Sequence, residues 1–193
     1  MSQEIGKRME PFLTDLAANA YEAAPQYDTE EERELSPEEL SRINCKGGQV
    51  DNIMVGSDGT PFLLELKMKG VYRYLDVVKN GIPGDEQLQM QAYMKAKGVS
   101  KALYIAGNMD RSALTKASRG KERPRGIWET WLPAKPLTQQ AGLDRANMLH
   151  SEIAKEDPAT VTRQYNPDPS KGKVDWNCDW CPFKRACLKA GER

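Results

Sequence analysis

The chain lacks any run of about 18 apolar residues, the length a helix needs to cross a bilayer, so no membrane span is expected. Its start, Met1-Ser2-Gln3-Glu4-Ile5-Gly6, has neither the basic opening nor the apolar stretch of a secretory signal, which points to a reducing, cytoplasmic setting. Histidine occurs once, at His150, where a surface position on a late helix is expected and no role is assigned. Internal repeats, long low-complexity tracts, and helix-turn-helix or zinc-finger spacings are all missing. The 193 residues suit one domain with a sizeable core.

Net charge is zero, from 28 basic and 28 acidic residues, but the charges are unevenly spread. Asp28 to Glu39 holds seven acidic residues against Arg33 alone, and Lys95 to Arg125 holds nine basic residues against Asp110 and Glu122. The basic segment is either a solvated loop or a local attractor of polyanions.

Apolar spacing predicts a helix from about Gln3 to Ala24, with Ile5, Met9, Phe12, Leu13, Leu16 and Ala20 on one stripe. Ser36-Pro37-Glu38-Glu39 predicts a helix start, with Ser36 as cap and Glu39 closing a capping box. Val50–Val55 and Phe62–Lys67 predict strands joined by a turn at Ser57-Asp58-Gly59. A helix is expected from Gly84 to Gly98, strands at Lys101–Ala106 and Ile127–Leu132, and a helix over Gln139–Lys155. Helices around a small mixed sheet imply an α/β or α+β core.

Glu65 and Lys67 are two apart on a strand, so they share a face, and Asp51 on the preceding strand lies within reach of Glu65. Two close carboxylates repel, and a hard divalent ion such as Mg²⁺ or Mn²⁺ relieves the repulsion. A lysine beside them can orient a water or stabilise phosphate charge. Phe62-Leu63-Leu64 makes the strand central, and charge on a central strand needs a reason.

Gly48-Gln49-Val50-Asp51, Glu65-Leu66-Lys67 and Gln89-Met90-Gln91-Ala92-Tyr93 resemble, in order, the motifs of the PD-(D/E)xK nuclease superfamily and its RecB-like exonucleases. The resemblance implies a restriction-endonuclease-like α/β core, a central mixed sheet flanked by helices. It implies a metal-dependent DNA exonuclease acting on ends or single strands in replication, recombination or repair. Asp51 and Glu65 would bind the metal with the Leu66 carbonyl, and Lys67 would assist the water. Gln89 would support the metal site and Tyr93 approach the DNA. Glu10, in Gly6-Lys7-Arg8-Met9-Glu10, stands where family members carry a histidine or glutamate; it is either a further metal ligand or an ordinary helical glutamate.

Four cysteines remain: Cys45, then Cys178, Cys181 and Cys187. In a reducing compartment such a set reads as metal ligands rather than disulfides. One CxxC, one Cys six residues further on and one remote Cys do not match the two close pairs of structural zinc. One cysteine before the nuclease motifs and three after resembles the iron–sulfur RecB-like nucleases, such as the AddB nuclease domain and CRISPR-associated exonucleases. The resemblance implies a [4Fe–4S] cluster clasping a tail, residues 165–193, to the rest of a single nuclease domain, residues 1–193. Its stand-alone format is similar to phage or CRISPR-type enzymes. A non-catalytic nucleic-acid-binding protein with a four-cysteine zinc site, and a structure-selective endonuclease, stay open as alternatives.

Lys116, Arg119, Lys121, Arg123 and Arg125 are the expected phosphate contacts. Lys69, Tyr72 and Arg73 follow the charged strand and are expected to meet substrate as well. Trp128 and Trp131 are either base-stacking platforms or core residues of a strand. No oligomeric interface is legible.

Overall fold

The computed structural model describes residues 2–108 and 126–154. It falls into two compact units, Met1–Ala146 and Asn147–Arg193. Of the second, only 147–154 are described, the end of the helix Pro136–Ala154.

The first unit is built on five strands in chain order: β1 (Ala23–Pro25), β2 (Asn52–Gly56), β3 (Pro61–Lys69), β4 (Lys101–Asn108) and β5 (Ile127–Pro133). Only the β3–β4 pair is parallel. A parallel pair needs a long crossover, here supplied by helices α4 (Val71–Asn80) and α5 (Gly84–Lys97). Helix α1 (Ser2–Ala20) precedes β1, short α2 (Glu30–Arg33) and α3 (Pro37–Ile43) lead to β2, and α6 (Pro136–Ala154) follows β5. The result is a five-stranded mixed sheet flanked by helices, as expected.

Strand alternation sends side chains to two apolar layers. Phe62, Leu64 and Leu66 of β3 and Leu103 and Ile105 of β4 pack with Leu13 and Ala17 of α1. Leu63 of β3 and Ala102, Tyr104 and Ala106 of β4 pack with Tyr74, Val77, Met90 and Met94 of α4 and α5. β4 is covered on both faces, which explains the run of small and apolar residues from Ala102 to Gly107.

Local chemistry sets several boundaries. Ser36 accepts from the Glu39 amide, and Glu39 accepts from the Ser36 amide, closing the expected box at α3. In the β2–β3 turn Gly59 adopts φ +76°, and Asp58 Oδ1 accepts from Thr60 N. Gly98, left-handed, ends α5.

Other expectations are corrected. α1 stops at Ala20, and Ala23–Pro25 is an edge strand, because Glu22 turns the chain through positive φ. Among the described side chains of α1, Leu13, Thr14 and Ala17 are buried, while Phe12 and Leu16, expected on the apolar stripe, stay exposed. Helix α4 was not anticipated, although Val71, Tyr74, Leu75 and Val78 have helical spacing.

Asn52, fully buried on β2, holds the chain after β1. Its amide donates to Tyr27 O at 3.0 Å, and its carbonyl accepts from Tyr27 N at 3.3 Å. Asn52→Ala leaves both backbone groups short of a partner, so urea unfolding is expected to show a loss of about 2 kcal/mol with an unchanged slope.

Candidate active site

The site is assembled at the mouth of the β2–β3 hairpin. Residues 33–35 pair antiparallel with 48–50: Val50 N donates to Arg33 O, Leu35 N donates to Gly48 O, and Glu34 bridges Gln49. This strap delivers Asp51 to the start of β2. Asn52 pairs with Leu64, so continuing the register sets Asp51 opposite Glu65 on one face of the sheet. Asp51 Oδ2 accepts from the Leu66 amide at 2.5 Å. Leu66 thus engages Asp51 through its N–H.

Glu65 is 1% exposed. Its Oε1 pairs with Lys67 Nζ at 2.5 Å, and its Oε2 is buried without a hydrogen-bond partner. Burial and then the nearby Asp51 push the Glu65 carboxyl up to about 7 against the pull of Lys67. Burial also raises Asp51, opposed by the Leu66 amide and Lys67. Burial alone would lower the Lys67 ammonium, but Glu65 and Asp51 outweigh it and raise it.

Glu10 stands at the rim, partly exposed. Arg33 Nη1 lies 3.8 Å from its Oε2, and Arg33 Nε is buried without a partner. The Glu10 charge raises Asp51 and the Arg33 charge lowers it, so both groups are near. Among the described residues, no group of three or more His, Cys, Asp and Glu is gathered to hold a metal ion. Asp51 and Glu65 come together, and Glu10 has Arg33 as its charged neighbour.

Gln89 and Tyr93 share a face of α5, and Gln89 Nε2 donates to Tyr93 Oη at 3.2 Å. The Tyr93 ring packs on Gly48, where an added Cβ would lie 3.4 Å from Tyr93 Cε1 and 3.1 Å from Leu35 Cδ1. Glycine thus lets the strap and α5 close together. Gln91 points the other way: it is buried, donates to Pro133 O, and accepts from Lys135 N, both at 2.8 Å.

No protein-family model and no curated protein matches the chain. Solved structures do. LHK-Exo, an alkaline exonuclease from Laribacter hongkongensis, in its complex with dAMP, superposes with a TM-score of 0.52 at 14% identity, over 81% of this chain and 75% of that one. A phage-related exonuclease from Haemophilus somnus 129PT gives 0.50 at 12%, over 80% and 73%. SSO0001 gives 0.50 at 17%, over 96% and 70%. The chain shares its fold with exonucleases of known structure.

Lys69, expected at the substrate, is instead 8% exposed. It lies on the same face of β3 as Glu65 and Lys67, and its Nζ pairs with Glu86 Oε1 at 2.6 Å. Glu86 Oε2 accepts from Tyr104 Oη at 2.5 Å. The inward direction of Lys69 was legible from its spacing; Glu86 and Arg33 carried no motif. Tyr72 and Arg73 are exposed. Trp128 lies edge-on to Tyr104, and Trp131, partly exposed, packs edge-on against Phe62 and Tyr21. His150 is exposed, as expected. No described helix is long and apolar enough to cross a membrane.

Cys45 is exposed and lines a groove with Leu88, Ala92, Lys95 and Leu143. Cys178, Cys181 and Cys187 lie outside the described residues, as do Lys116, Arg119, Lys121, Arg123 and Arg125.

A carboxyl raised in the fold favours its protonated form there. Ionising Glu65 therefore costs stability as pH rises from its ordinary 4.5 through about 7. Without divalent ions, Glu65→Gln is expected to melt above the wild type at pH 8, with the advantage shrinking toward pH 4.5. A variant that melts lower at pH 8 would contradict the assignment of burial as the dominant cause.

Proposed function

We propose that this chain is a PD-(D/E)xK deoxyribonuclease, an exonuclease that hydrolyses phosphodiester bonds at DNA ends or in single strands. The observation that carries the reading is the opposed Asp51–Glu65 pair, with Glu65 buried, Lys67 beside it and Glu65 Oε2 unbonded. Carboxylates opposed across a hairpin, one buried and one half-buried, have a donor set suited to a hard divalent cation. The fold shared with exonucleases supports the reading, as does the dAMP complex of one of them.

Asp51 and Glu65 would hold Mg²⁺ or Mn²⁺, with the Leu66 carbonyl and Glu10 completing the set. Such an ion polarises a phosphate oxygen and lowers the pKa of a bound water. Lys67 orients the attacking water and stabilises negative charge on the phosphate. Gln89 fixes the Tyr93 hydroxyl, and Tyr93 meets the DNA strand. Lys116, Arg119, Lys121, Arg123 and Arg125 neutralise backbone phosphates.

We also propose that Cys45, Cys178, Cys181 and Cys187 hold a [4Fe–4S] cluster, on the strength of their order around the nuclease motifs and the exposed position of Cys45. The proposed setting is a reducing cytoplasm.

Purified protein is expected to degrade end-labelled linear DNA with Mg²⁺ or Mn²⁺ and to spare a closed circle. Lys67→Ala and Asp51→Asn are expected to lower the rate by about 10²-fold or more while leaving the fold intact. Full activity in either variant sinks the site assignment, and cleavage of the circle shows an endonuclease. Anaerobically purified protein is expected to be brown and to contain about four irons per chain. A colourless sample with one zinc overturns the cluster.

A further inference from the structure

Glu86 lies in the first turn of α5, whose amino-terminal cap has no side-chain hydrogen bond. A carboxylate there suits the helix dipole and would ordinarily face water. Glu86 instead turns to the sheet and spends both oxygens on it, one on Lys69 of β3 and one on Tyr104 of β4. Tyr104 is fully buried and is the register partner of Glu65 in the parallel pair. Lys69 lies on the face that carries Glu65 and Lys67. Gln89 follows Glu86 by one helical turn and Tyr93 by two, on the same side of α5. The Glu86 side chain thus connects the strand holding Glu65 and Lys67, its parallel neighbour and the helix holding Gln89 and Tyr93.

We propose that Glu86 is a positioning residue of the Glu65–Lys67 site: its paired oxygens lock the start of α5 to β3 and β4, fix Gln89 and Tyr93 relative to the pair, and keep Lys69 from competing with Lys67 for Glu65. Glu65 has one lysine partner, Lys67, although two lysines share its face. The second is neutralised by Glu86. Buried ion pairs are costly to form and costly to break, and they are retained where they specify one geometry. This inference rests on the nuclease reading for its catalytic consequence, but not for its structural one.

The test uses full-length wild type, Glu86→Gln, Glu86→Ala and Tyr104→Phe. Steady-state cleavage of labelled linear DNA is measured beside amide hydrogen exchange across Gln87–Tyr93. Glu86→Ala is expected to lose about tenfold or more in kcat with KM within about twofold of wild type. Glu86→Gln, which keeps one acceptor, should lie between the two. Exchange in the first turns of α5 is expected to accelerate about tenfold in Glu86→Ala. If Glu86→Ala does not fold, Tyr104→Phe, which removes one tie and leaves the Glu86–Lys69 pair, is expected to show the same kcat loss in smaller degree. Unchanged kcat in the folded variants, or a loss confined to KM, overturns the proposal. If the wild type cleaves no DNA, the nuclease reading fails, and exchange decides alone: accelerated exchange supports the lock, and unchanged exchange overturns it.

Discussion

Taking two carboxylates out of water opposite one another is the constraint to which the rest of the described structure answers. Asp51 and Glu65 cannot share the hairpin mouth as free anions at low cost, since burial and mutual repulsion both favour protonation. Each receives only partial relief. Asp51 has the Leu66 amide, and Glu65 has Lys67 on one oxygen and nothing on the other. A fold organised for stability alone would place apolar residues here, as it does at Leu63 and Leu64 of the same strand. The cost is tolerated because a heavily covered sheet surrounds the site.

The surrounding parts hold that arrangement open. The strap of residues 33–35 fixes the approach of Asp51, and Gly48 leaves room for the side chains of Leu35 and Tyr93. Gln91 pins α5 to the end of β5 and beyond, while Glu86 pins its start to β3 and β4. Helix α5 is thereby anchored at two points, and Gln89 and Tyr93 share a face that Gln91 does not. Alternate residues of Gln89-Met90-Gln91 thus serve separate purposes: one amide bonds Tyr93, a buried methionine fills the core, and the other amide fastens the helix.

Much of this was legible in the sequence where local rules govern. The Ser36 box, the Asp58-Gly59 turn, the strand period that puts Glu65 and Lys67 on one face, and the Gly98 stop all express short-range physics. Asp51 could be placed beside Glu65 because a short hairpin fixes register. What escaped depends on tertiary contact. β1 is three residues long and exists as the edge partner of β2. Helix α4 carries Tyr72 and Arg73 among its apolar positions, which masked its period. Lys69 was given to the substrate because it follows the charged strand; the α5 glutamate that captures it lies 17 residues on. Arg33 lay within an acidic run with nothing to mark it. Cys178, Cys181 and Cys187 lie outside the described residues, so their clasp stands on sequence alone.

The account's central claim is that the Asp51–Glu65 pair is built to receive a divalent cation. Calorimetric titration of Mn²⁺ into metal-free protein, in buffers of different ionisation enthalpy, tests it most directly. With Glu65 raised to about 7, ion binding at pH 6.5 must displace a proton, so the heat should depend on the buffer, and that dependence should fade by pH 9. Asp51→Asn should weaken the binding. No binding in the wild type, or binding whose heat is the same in every buffer at pH 6.5, would contradict the account.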